Sequence, residues 1–401
     1  MKLLFSAFTG YNLRELLLPL SPLLDRDQSI SDVFVVTPAA DNAQELLPDL
    51  KNKYHFLPEV HDAPAYEKIL ATHRPALVVT PTAGLEPRDI PLIQAAKSLG
   101  IPTLTFIASW DNVYKMERRM RLKKYQGQYA LADYFAVWNA VNRDHLLRIA
   151  PQLTPERVTI TGAPRLDYVA NPENLPSRAA VCESLRIPND DGQLIHLATT
   201  ELYSSDYLVR ALAAARGRQL PKNFHLLVSV HPGGNLATHQ AYAQGSSIYV
   251  RYSFGRYESS LIPDFRYRPT LENMRLHAGL FYHSNLLMNH SSTVTIESIL
   301  ADRPVINVKY GRPFDWLNWH RSMVYRDFKQ HAKIIIDSDA TTIAKSRRSL
   351  VAATARYLAH PEHHRPARAN LARTMVTFTD GTAGQRLLDL IKKIAHGSHS
   401  L

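Results

Sequence analysis

The feature that most restricts the fold of this chain is a regular alternation between short apolar runs and segments of helical length. Such runs, rich in Val, Ile and Phe, are typical of buried strands, and helical segments between them indicate β-α units around a parallel sheet. One such segment, Pro87 to Gly100, ends in a glycine that suits a helix C-terminus. The first half is therefore predicted to be doubly wound, with strands in "KLLFSAF", "VFVVTP", "ALVVTP", "PTLTFIAS", "YFAVWN" and "RVTITGAP".

A second series of strands follows a change in composition. The stretch "NPENLPSRAAVCESLRIPNDDGQ" is rich in Pro, Asn and Asp and is predicted to be a linker with one helix. After it come "LIHLATT", "FHLLVSVHP", "SIYVRY", "LLMNHSS" and "RPVINVKY". We therefore expect an α/β protein with two doubly wound domains, residues 1–170 and 171–378. Residues 379–401 are expected to form a C-terminal helix. One arrangement open to this helix is to pack back on the first domain.

Charge and composition narrow the classes of partner. The net charge is +11, which suggests an anionic partner such as nucleic acid, phospholipid headgroups or a phosphorylated substrate. In the densest basic run, Lys115 to Lys124, helical spacing would spread the cations around the whole circumference, so contact with an anionic membrane and a solvated surface both stay open. The apolar runs are too short or interrupted to span a bilayer, and a cytoplasmic protein is expected. The single cysteine, Cys182, excludes an intramolecular disulfide and a structural zinc cluster.

Three consecutive hydroxyl residues follow the predicted strand "LLMN". Ser291, Ser292 and Thr293 open a helix that carries a carboxylate, Glu297. In open α/β sheets ligands bind outside the carboxyl ends of the strands, and the free amides and dipole of a first helical turn favour an anion. A capping box would need Ser or Thr at the position of Val294. We interpret the turn as a diphosphate site and Glu297 as an acceptor for ribose hydroxyls; the alternative is an ordinary capped helix with a surface glutamate.

The same stretch is similar to a segment of a known superfamily. "HSSTVTIESILADRPVINV" resembles the nucleotide-sugar segment of GT-B glycosyltransferases. "VSVHPGGN" and "FTDGTAGQRLLDLI" resemble the same group, particularly its bacterial cell-surface polysaccharide and teichoic-acid glycerophosphotransferase branches, and "SWDN", "ADYFAVWNAVNRDHL" and "VTITGAPRLD" fit the same pattern. Together these segments cover most of the chain from Pro102 onward. The resemblance implies two Rossmann-like domains facing across a cleft, with the donor held by the second and the acceptor by the first.

By position, the resemblance also implies roles for single residues. His231 in "HPGG" would face the phosphates or the transferred group, and Arg251 in "IYVRYSFGRYE" is a candidate for contact with the base. The sequence departs from teichoic-acid enzymes in having Asn289 and His290 before the serines, where those enzymes carry an acidic residue. The implied donor-binding set is Thr199, Thr200, Arg251, Ser291, Ser292, Thr293 and Glu297.

The chemistry of an inverting transfer needs a base within hydrogen-bond reach of the acceptor hydroxyl. Asp111 in "SWDN" follows a predicted strand of the first domain and is the first candidate, with a turn-forming Asp-Asn pair as the structural alternative. His231 is the rival, because imidazole titrates near neutrality, although a His before Pro is also a common strand terminator. A retaining transfer would need no such base.

These observations lead to one expected function and several rivals. We expect a glycosyltransferase that moves a sugar from a nucleotide-sugar to a saccharide or lipid-linked acceptor of the cell envelope. With no DxD and no GxGxxG motif, we expect no metal and no cofactor besides the nucleotide-sugar substrate. A CDP-polyol glycerophosphotransferase and a sugar-nucleotide 2-epimerase keep the fold and change the chemistry. A nucleic-acid-binding protein is the remote alternative, since nothing resembles a helix-turn-helix or an aromatic RNA-binding strand.

Overall fold

A computed structural model describes most of the chain, namely residues 1–81, 87–122, 129–200, 204–245, 247–257, 262–290, 292–312, 317 and 327–397. The chain divides into two compact units. Unit 1 consists of Met1–Asp167, Gly255–Met274 and Met375–Leu401, and unit 2 consists of Tyr168–Phe254 and Arg275–Thr374. The chain therefore leaves unit 1 after Asp167 and returns to it twice.

Unit 1 is built around a parallel sheet of seven strands in the order β3-β2-β1-β4-β5-β6-β7. All strands are parallel, and the side on which the chain adds new strands reverses between β1 and β4, as in a doubly wound fold. Every predicted run of this half contains a strand; β3 was not predicted, because His55 and Pro58 interrupt its apolar residues, and only its first residue, Tyr54, is buried. The strands are β1 Lys2–Ser6, β2 Asp32–Thr37, β3 Tyr54–Pro58, β4 Leu77–Thr80, β5 Thr103–Phe106, β6 Tyr134–Val137 and β7 Val158–Ile160.

Unit 2 contains a parallel sheet of six strands in the order β10-β9-β8-β13-β14-β15. Its five predicted runs all form strands, and the three-residue β15 is added at the edge. These strands are β8 Gln193–Ala198, β9 Phe224–Val230, β10 Ile248–Tyr252, β13 Leu286–Asn289, β14 Val305–Val308 and β15 Thr342–Ala344. Two short strands, β11 Arg256–Tyr257 and β12 Tyr267–Arg268, pair antiparallel in the segment that returns to unit 1. The two parallel α/β sheets confirm the predicted fold class.

Helices connect the strands, and several begin with the residue types that favour a helix start. Asp62, Asn139, Ser177, Asn235 and Ser346 each accept a backbone N–H of the first turn through the side chain. The longer helices are α1 Leu18–Arg26, α2 Ala63–His73, α3 Asp89–Ser98, α4 Asn112–Arg121, α5 Ala140–Ile149, α6 Arg178–Leu185, α7 Asp206–Ala215, α8 Leu236–Tyr242, α9 Leu271–His283, α10 Val294–Leu300, α11 Arg347–Ala359, α12 Arg365–Val376 and α13 Ala383–Ala395.

The C-terminal helix α13 is amphipathic, as its sequence predicts. Leu387, Leu388, Ile391 and Ile394 are buried. Within unit 1 the carboxylate of Asp167 accepts the free N–H groups of the first turn of α13, at 2.9 Å from Ala383 and 2.7 Å from Gly384. These two hydrogen bonds hold the start of α13 against Asp167, the last residue of the segment Met1–Asp167 of unit 1.

The basic run falls on α4, of which Val113 and Met116 are buried. Lys115 pairs with Asp111 and Arg121 with Glu117, one helical turn apart in each case. Lys123 and Lys124 lie outside the described residues. Among the helices that the structure describes, none has the length and apolar character needed to cross a bilayer.

Candidate functional site

The strand order of unit 2 places a topological switch point between β8 and β13. The chain proceeds from β8 toward β10 on one side, and from β13 toward β15 on the other. In the pairing of these two strands Met288 lies opposite Leu197, so the residues after Ala198 and after Asn289 leave the sheet side by side. Crevices of this kind bind ligands in open α/β sheets. The edge that carries Thr199 and His290 is therefore the candidate site of unit 2.

Thr199 and His231 come from neighbouring strands and are hydrogen-bonded to each other. The Oγ1 atom of Thr199, which is buried, accepts the backbone N–H of His231 at 3.0 Å. The N–H of Thr199 in turn donates to the carbonyl of Ser229 at 3.0 Å, continuing the pairing of β8 with β9. The structure thus brings together two residues that the sequence analysis assigned to the same site.

The imidazole of His231 has a defined hydrogen-bonding role on one of its two nitrogens. Its Nδ1 atom accepts the backbone N–H of Gly233 at 3.0 Å. A nitrogen that accepts a hydrogen bond carries no proton, so the neutral ring holds its proton on Nε2. In this form His231 presents a donor, which suits a phosphate oxygen better than it suits proton abstraction.

His290 is a second histidine of this edge, and sequence reasoning assigned it no role. Its ring is almost fully buried, with Nδ1 3.1 Å from the carbonyl oxygen of Val308 and Nε2 3.2 Å from the hydroxyl of Tyr207. Burial lowers the pKa of His290 to about 4. The neutral ring donates from Nδ1 to the carbonyl oxygen, which fixes the end of β13 against β14.

The hydroxyl turn lies between β13 and α10. Ser291 is outside the described residues, whereas Ser292 and Thr293 are half-buried. Their backbone carbonyls accept the N–H groups of Thr295 and Ile296, which begins the helix. Thr293 occupies the N-cap position, yet its side chain makes no capping hydrogen bond. The alternative that this hydroxyl serves as an ordinary cap is therefore wrong for Thr293.

A buried network of amides holds this turn in place. Asn289 donates from Nδ2 to Thr295 Oγ1 at 3.0 Å, and Asn307 of β14 donates to Asn289 Oδ1 at 3.2 Å. All three side chains are buried. Because a buried polar group without a partner costs roughly 1–3 kcal/mol, this network favours one position of α10 relative to the strands. It also accounts for an amide at position 289.

Glu297 lies on α10 and is 4% exposed, so the alternative of an incidental surface glutamate is wrong. Its charge acts on His196, a residue of β8 that is 1% exposed and that sequence reasoning missed. The ring nitrogens of His196 have no hydrogen-bond partner among the described residues. The pKa of His196 is lowered to about 3, chiefly by burial and secondly by nearby His277, while Glu297 opposes the shift. The interior of unit 2 therefore holds ionisable groups close to the switch point.

Arg251 has a different environment from the one implied for a base-binding residue. Its Nε donates to the carbonyl of Leu185 at 2.8 Å and its Nη1 to that of Val250 at 2.8 Å. Leu185 ends helix α6, so the guanidinium satisfies a free carbonyl at a helix C-terminus. These bonds give Arg251 a structural role, and we leave it out of the proposed site.

Asp111 belongs to unit 1 and lies at the N-terminus of α4. Its carboxylate accepts the Ser109 hydroxyl on Oδ1, and Oδ2 is 2.8 Å from the Lys115 ammonium. A turn-forming aspartate makes contacts of this kind, as the structural alternative predicts. The role of Asp111 as a base therefore stays a prediction. In the part of the chain that the structure describes, no three His, Cys, Asp or Glu side chains are arranged to hold a metal ion.

Comparison with known proteins adds information at the level of the fold. No protein-family model matches the sequence, and no curated protein matches it. Among solved structures, the UDP-GlcNAc 2-epimerase from Neisseria meningitidis bound to UDP-GlcNAc superposes with a TM-score of 0.62 at 12% identity, over 98% of this chain and 100% of that chain. The fold is GT-B-like.

Two further solved structures with a similar fold belong to enzymes with other activities. The wall teichoic acid polymerase TagF matches with a TM-score of 0.61 at 14% identity, over 99% of this chain and 90% of that chain. A glycosyltransferase from Rickettsia africae matches with a TM-score of 0.56 at 13% identity, over 98% of both chains. The three neighbours are enzymes with three kinds of activity, and at such identities the likeness establishes the fold alone.

Proposed function

We propose that this protein is a glycosyltransferase that binds a nucleotide-sugar at the carboxyl edge of the unit 2 sheet. The observation that carries the proposal is the pair Thr199 and His231, hydrogen-bonded at 3.0 Å beside the switch point of a GT-B-like fold. Hydroxyl and imidazole groups at such an edge are suited to a diphosphate, and they need no metal to bind it.

The donor-binding residues divide into those for the diphosphate and one for the ribose. Thr199 uses its oxygen as an acceptor for the His231 N–H, which leaves its hydroxyl proton to donate to a phosphate. Thr200 follows it at the same strand end. Ser291, Ser292 and Thr293 supply hydroxyls from the adjacent turn, and Glu297, one helical turn further, accepts from the ribose.

The chemistry centres on the charge that develops on the departing diphosphate. His231 donates from Nε2, since Nδ1 is occupied by the Gly233 N–H, and stabilises that charge. Asp111 is the proposed base for the acceptor hydroxyl if configuration is inverted. In this scheme the imidazole acts as a donor and the carboxylate as the proton acceptor, so the two candidates from the sequence have separate roles.

The proposed acceptor is a saccharide or lipid-linked glycan of the cell envelope, reached from the cytoplasmic side. The net charge of +11 supports an anionic acceptor or contact with an anionic membrane. The likeness to TagF, a wall teichoic acid polymerase, supports a product of the cell envelope.

The test is to identify which nucleotide the protein releases from UDP-, GDP- and CDP-activated sugars and from CDP-glycerol, in the presence of EDTA. Glycosyl transfer breaks the bond between sugar and phosphate and releases a nucleoside diphosphate. Transfer of a polyol phosphate breaks the diphosphate and releases CMP, and epimerisation changes the sugar with no acceptor. Release of a nucleoside diphosphate that depends on an added acceptor supports the proposal. CMP release, or a new sugar epimer without acceptor, would replace it with one of the two rival activities.

A further inference from the structure

Unit 2 contains a large cavity at the same sheet edge, beyond β14 and β15. Its volume is about 900 Å³. It is lined by the residues that follow these two strands, by the first turns of α7 and α11, and by side chains of α7. Cavities of this size are in the range of those that bind small organic ligands.

The lining of this cavity, which we call the cationic pocket, has a strong excess of positive charge. Its cationic side chains are Arg210, Lys309, Arg312, Lys345 and Arg347, and its one acidic residue is Asp206. Asp206 is already engaged: Arg312 Nε and Nη2 donate to its Oδ1 at 2.8 and 2.6 Å. A single carboxylate cannot neutralise five cations, so most of the charge is left to solvent or to a ligand.

Three of these cations have no carboxylate partner in the described part of the chain. Lys309 and Lys345 follow β14 and β15, in which Val308 lies opposite Ala344, so the two lysines leave neighbouring strands at the same level. Arg347 is the first residue of α11. None of the described carboxylates lies within ion-pair distance of these three residues.

This placement is unfavourable for the free protein. Like charges at adjacent strand ends repel each other, and a cation in the first turn of a helix opposes the helix dipole. A capping box between Ser346 and Ser349 already provides the hydrogen bonds that stabilise the start of α11, so Arg347 is not needed to form the helix. An anion in the pocket would offset both costs, because the cations and the dipole would then attract the same group.

The pocket also adjoins the edge described above. Tyr207 and Tyr310 belong to its lining, and the Tyr207 hydroxyl, which lies 3.2 Å from His290, donates to the Tyr310 carbonyl at 2.7 Å. The hydroxyl of Tyr310 is buried and makes no hydrogen bond with any residue that the structure describes. Tyr207 therefore connects the lining of the pocket to the switch-point edge.

We propose that the cationic pocket is a second anion site, which binds the phosphate groups of a phosphomonoester or diphosphate separately from the hydroxyl turn. Lysine and arginine around a concave site are the usual means of holding phosphate, and Arg347 offers two parallel donors to one phosphate group. The volume leaves room for the organic part of the ligand. This inference goes beyond the proposed donor site and does not depend on it.

The experiment measures the affinity of the full-length protein for inorganic pyrophosphate by calorimetry. Arg347→Gln removes one pocket cation, and Arg348→Gln is the matched control, since it makes the same charge change at the next residue of the same helix, which is equally exposed but does not line the pocket. We expect Arg347→Gln and Lys345→Gln each to weaken binding by roughly tenfold, with Arg348→Gln within about twofold of the parent protein. Far-UV circular dichroism checks that each variant is folded.

A fourth variant, Thr199→Val, separates this site from the donor site. If Thr199→Val weakens pyrophosphate binding while Arg347→Gln does not, the diphosphate binds at the hydroxyl turn and the inference is overturned. Equal losses in Arg347→Gln and Arg348→Gln would also overturn it, because they would show attraction to net charge alone.

A vesicle arm identifies the source of the phosphate. Sedimentation with phosphatidylcholine vesicles, with and without phosphatidic acid, is compared for the parent protein and the two arginine variants. If the parent protein binds vesicles with phosphatidic acid, and Arg347→Gln reduces this binding while Arg348→Gln does not, the result supports the site with a lipid phosphate as its ligand. If Arg347→Gln weakens pyrophosphate binding and the protein binds no vesicles, the result supports the site with a soluble phosphate ester as its ligand.

Discussion

The hydroxyl of Thr199 accepts the backbone N–H of His231 at 3.0 Å, which joins the ends of two neighbouring strands of unit 2. Thr199→Val keeps the shape of the side chain but leaves this N–H without its acceptor. Because an unsatisfied polar group costs roughly 1–3 kcal/mol, we expect a loss of this size in the free energy of unfolding by urea. Thr199→Ser retains the oxygen and serves as the control. Equal stabilities of the valine and serine variants would contradict this role.

The tautomer of His231 leads to a prediction about catalysis. Asn at this position can place its side-chain oxygen where Nδ1 accepts the Gly233 N–H, while the Nε2 donor is lost. We expect His231→Asn to reduce kcat by about 10²-fold or more, the size of effect seen when one charge-stabilising donor is removed, with the thermal midpoint nearly unchanged. His231→Ala should lose both activity and loop stability. A fully active asparagine variant would exclude His231 from the chemistry.

Gly10 permits a close approach inside unit 1. A Cβ atom built at this position would lie 1.8 Å from the carbonyl oxygen of Tyr267, a contact that no side chain can make without movement of the backbone. We expect Gly10→Ala to destabilise the protein by about 1–3 kcal/mol, the usual cost of overpacking, or more. The comparison is Gly100→Ala, which meets no atom within 4 Å but has φ of +68°, and should cost about 1 kcal/mol through the backbone alone. A larger loss for Gly100→Ala would contradict this account.

Buried histidines make the stability of unit 2 depend on pH. The pKa of His196 is lowered to about 3, chiefly by burial. The ring therefore stays neutral in the folded protein at pH values below its ordinary pKa of 6.5, where the ring in the unfolded chain takes up a proton. Stability from this group is therefore complete above about pH 6.5 and is lost progressively as the pH falls toward 3. His290, with a pKa of about 4, acts in the same direction.

His196→Leu isolates this effect, since it removes two buried ring nitrogens that have no described partner. We expect the variant to equal or exceed the parent in stability at pH 7.5. Its advantage in free energy of unfolding should grow by about 2 kcal/mol on going to pH 5, at 1.36 kcal/mol for each unit of pKa shift. Denaturant titrations at the two pH values measure the difference. An advantage that stays constant or shrinks at acid pH would contradict the assigned burial.

The sheets could be predicted because their strands are buried on both faces and appear as continuous apolar runs. The strands β8 and β9 illustrate this, with almost every residue buried. Two edge strands escaped prediction because β3 is largely half-buried or exposed and β15 is only three residues long. The return of Gly255–Met274 to unit 1 has no sequence signal, since it follows from long-range contacts such as that of Gly10 with Tyr267.

The candidate site was predicted only in part, for a related reason. Strand ends locate Thr199, His231 and the hydroxyl turn from the sequence, because the ends of parallel strands share one edge. The structural role of Arg251 depends on a carbonyl of α6, which is distant in sequence. The burial of His196 and Glu297, and the gathering of Lys309, Lys345 and Arg347, likewise depend on strand order, which the sequence does not state.

We propose that the edge at the switch point of unit 2 binds a nucleotide-activated donor. The most direct measurement is the thermal midpoint of the protein with UDP, GDP, CDP and CMP, each with EDTA, for the parent, Glu297→Gln, Thr199→Val and the exposed control Glu183→Gln. A ligand at about a hundred times its dissociation constant adds roughly 2.7 kcal/mol, enough for a clear shift. We expect one nucleotide to raise the thermal midpoint. The shift should be unaffected by EDTA, persist in the control and be smaller in both site variants. No shift with any nucleotide, or one that both site variants retain in full, would contradict it.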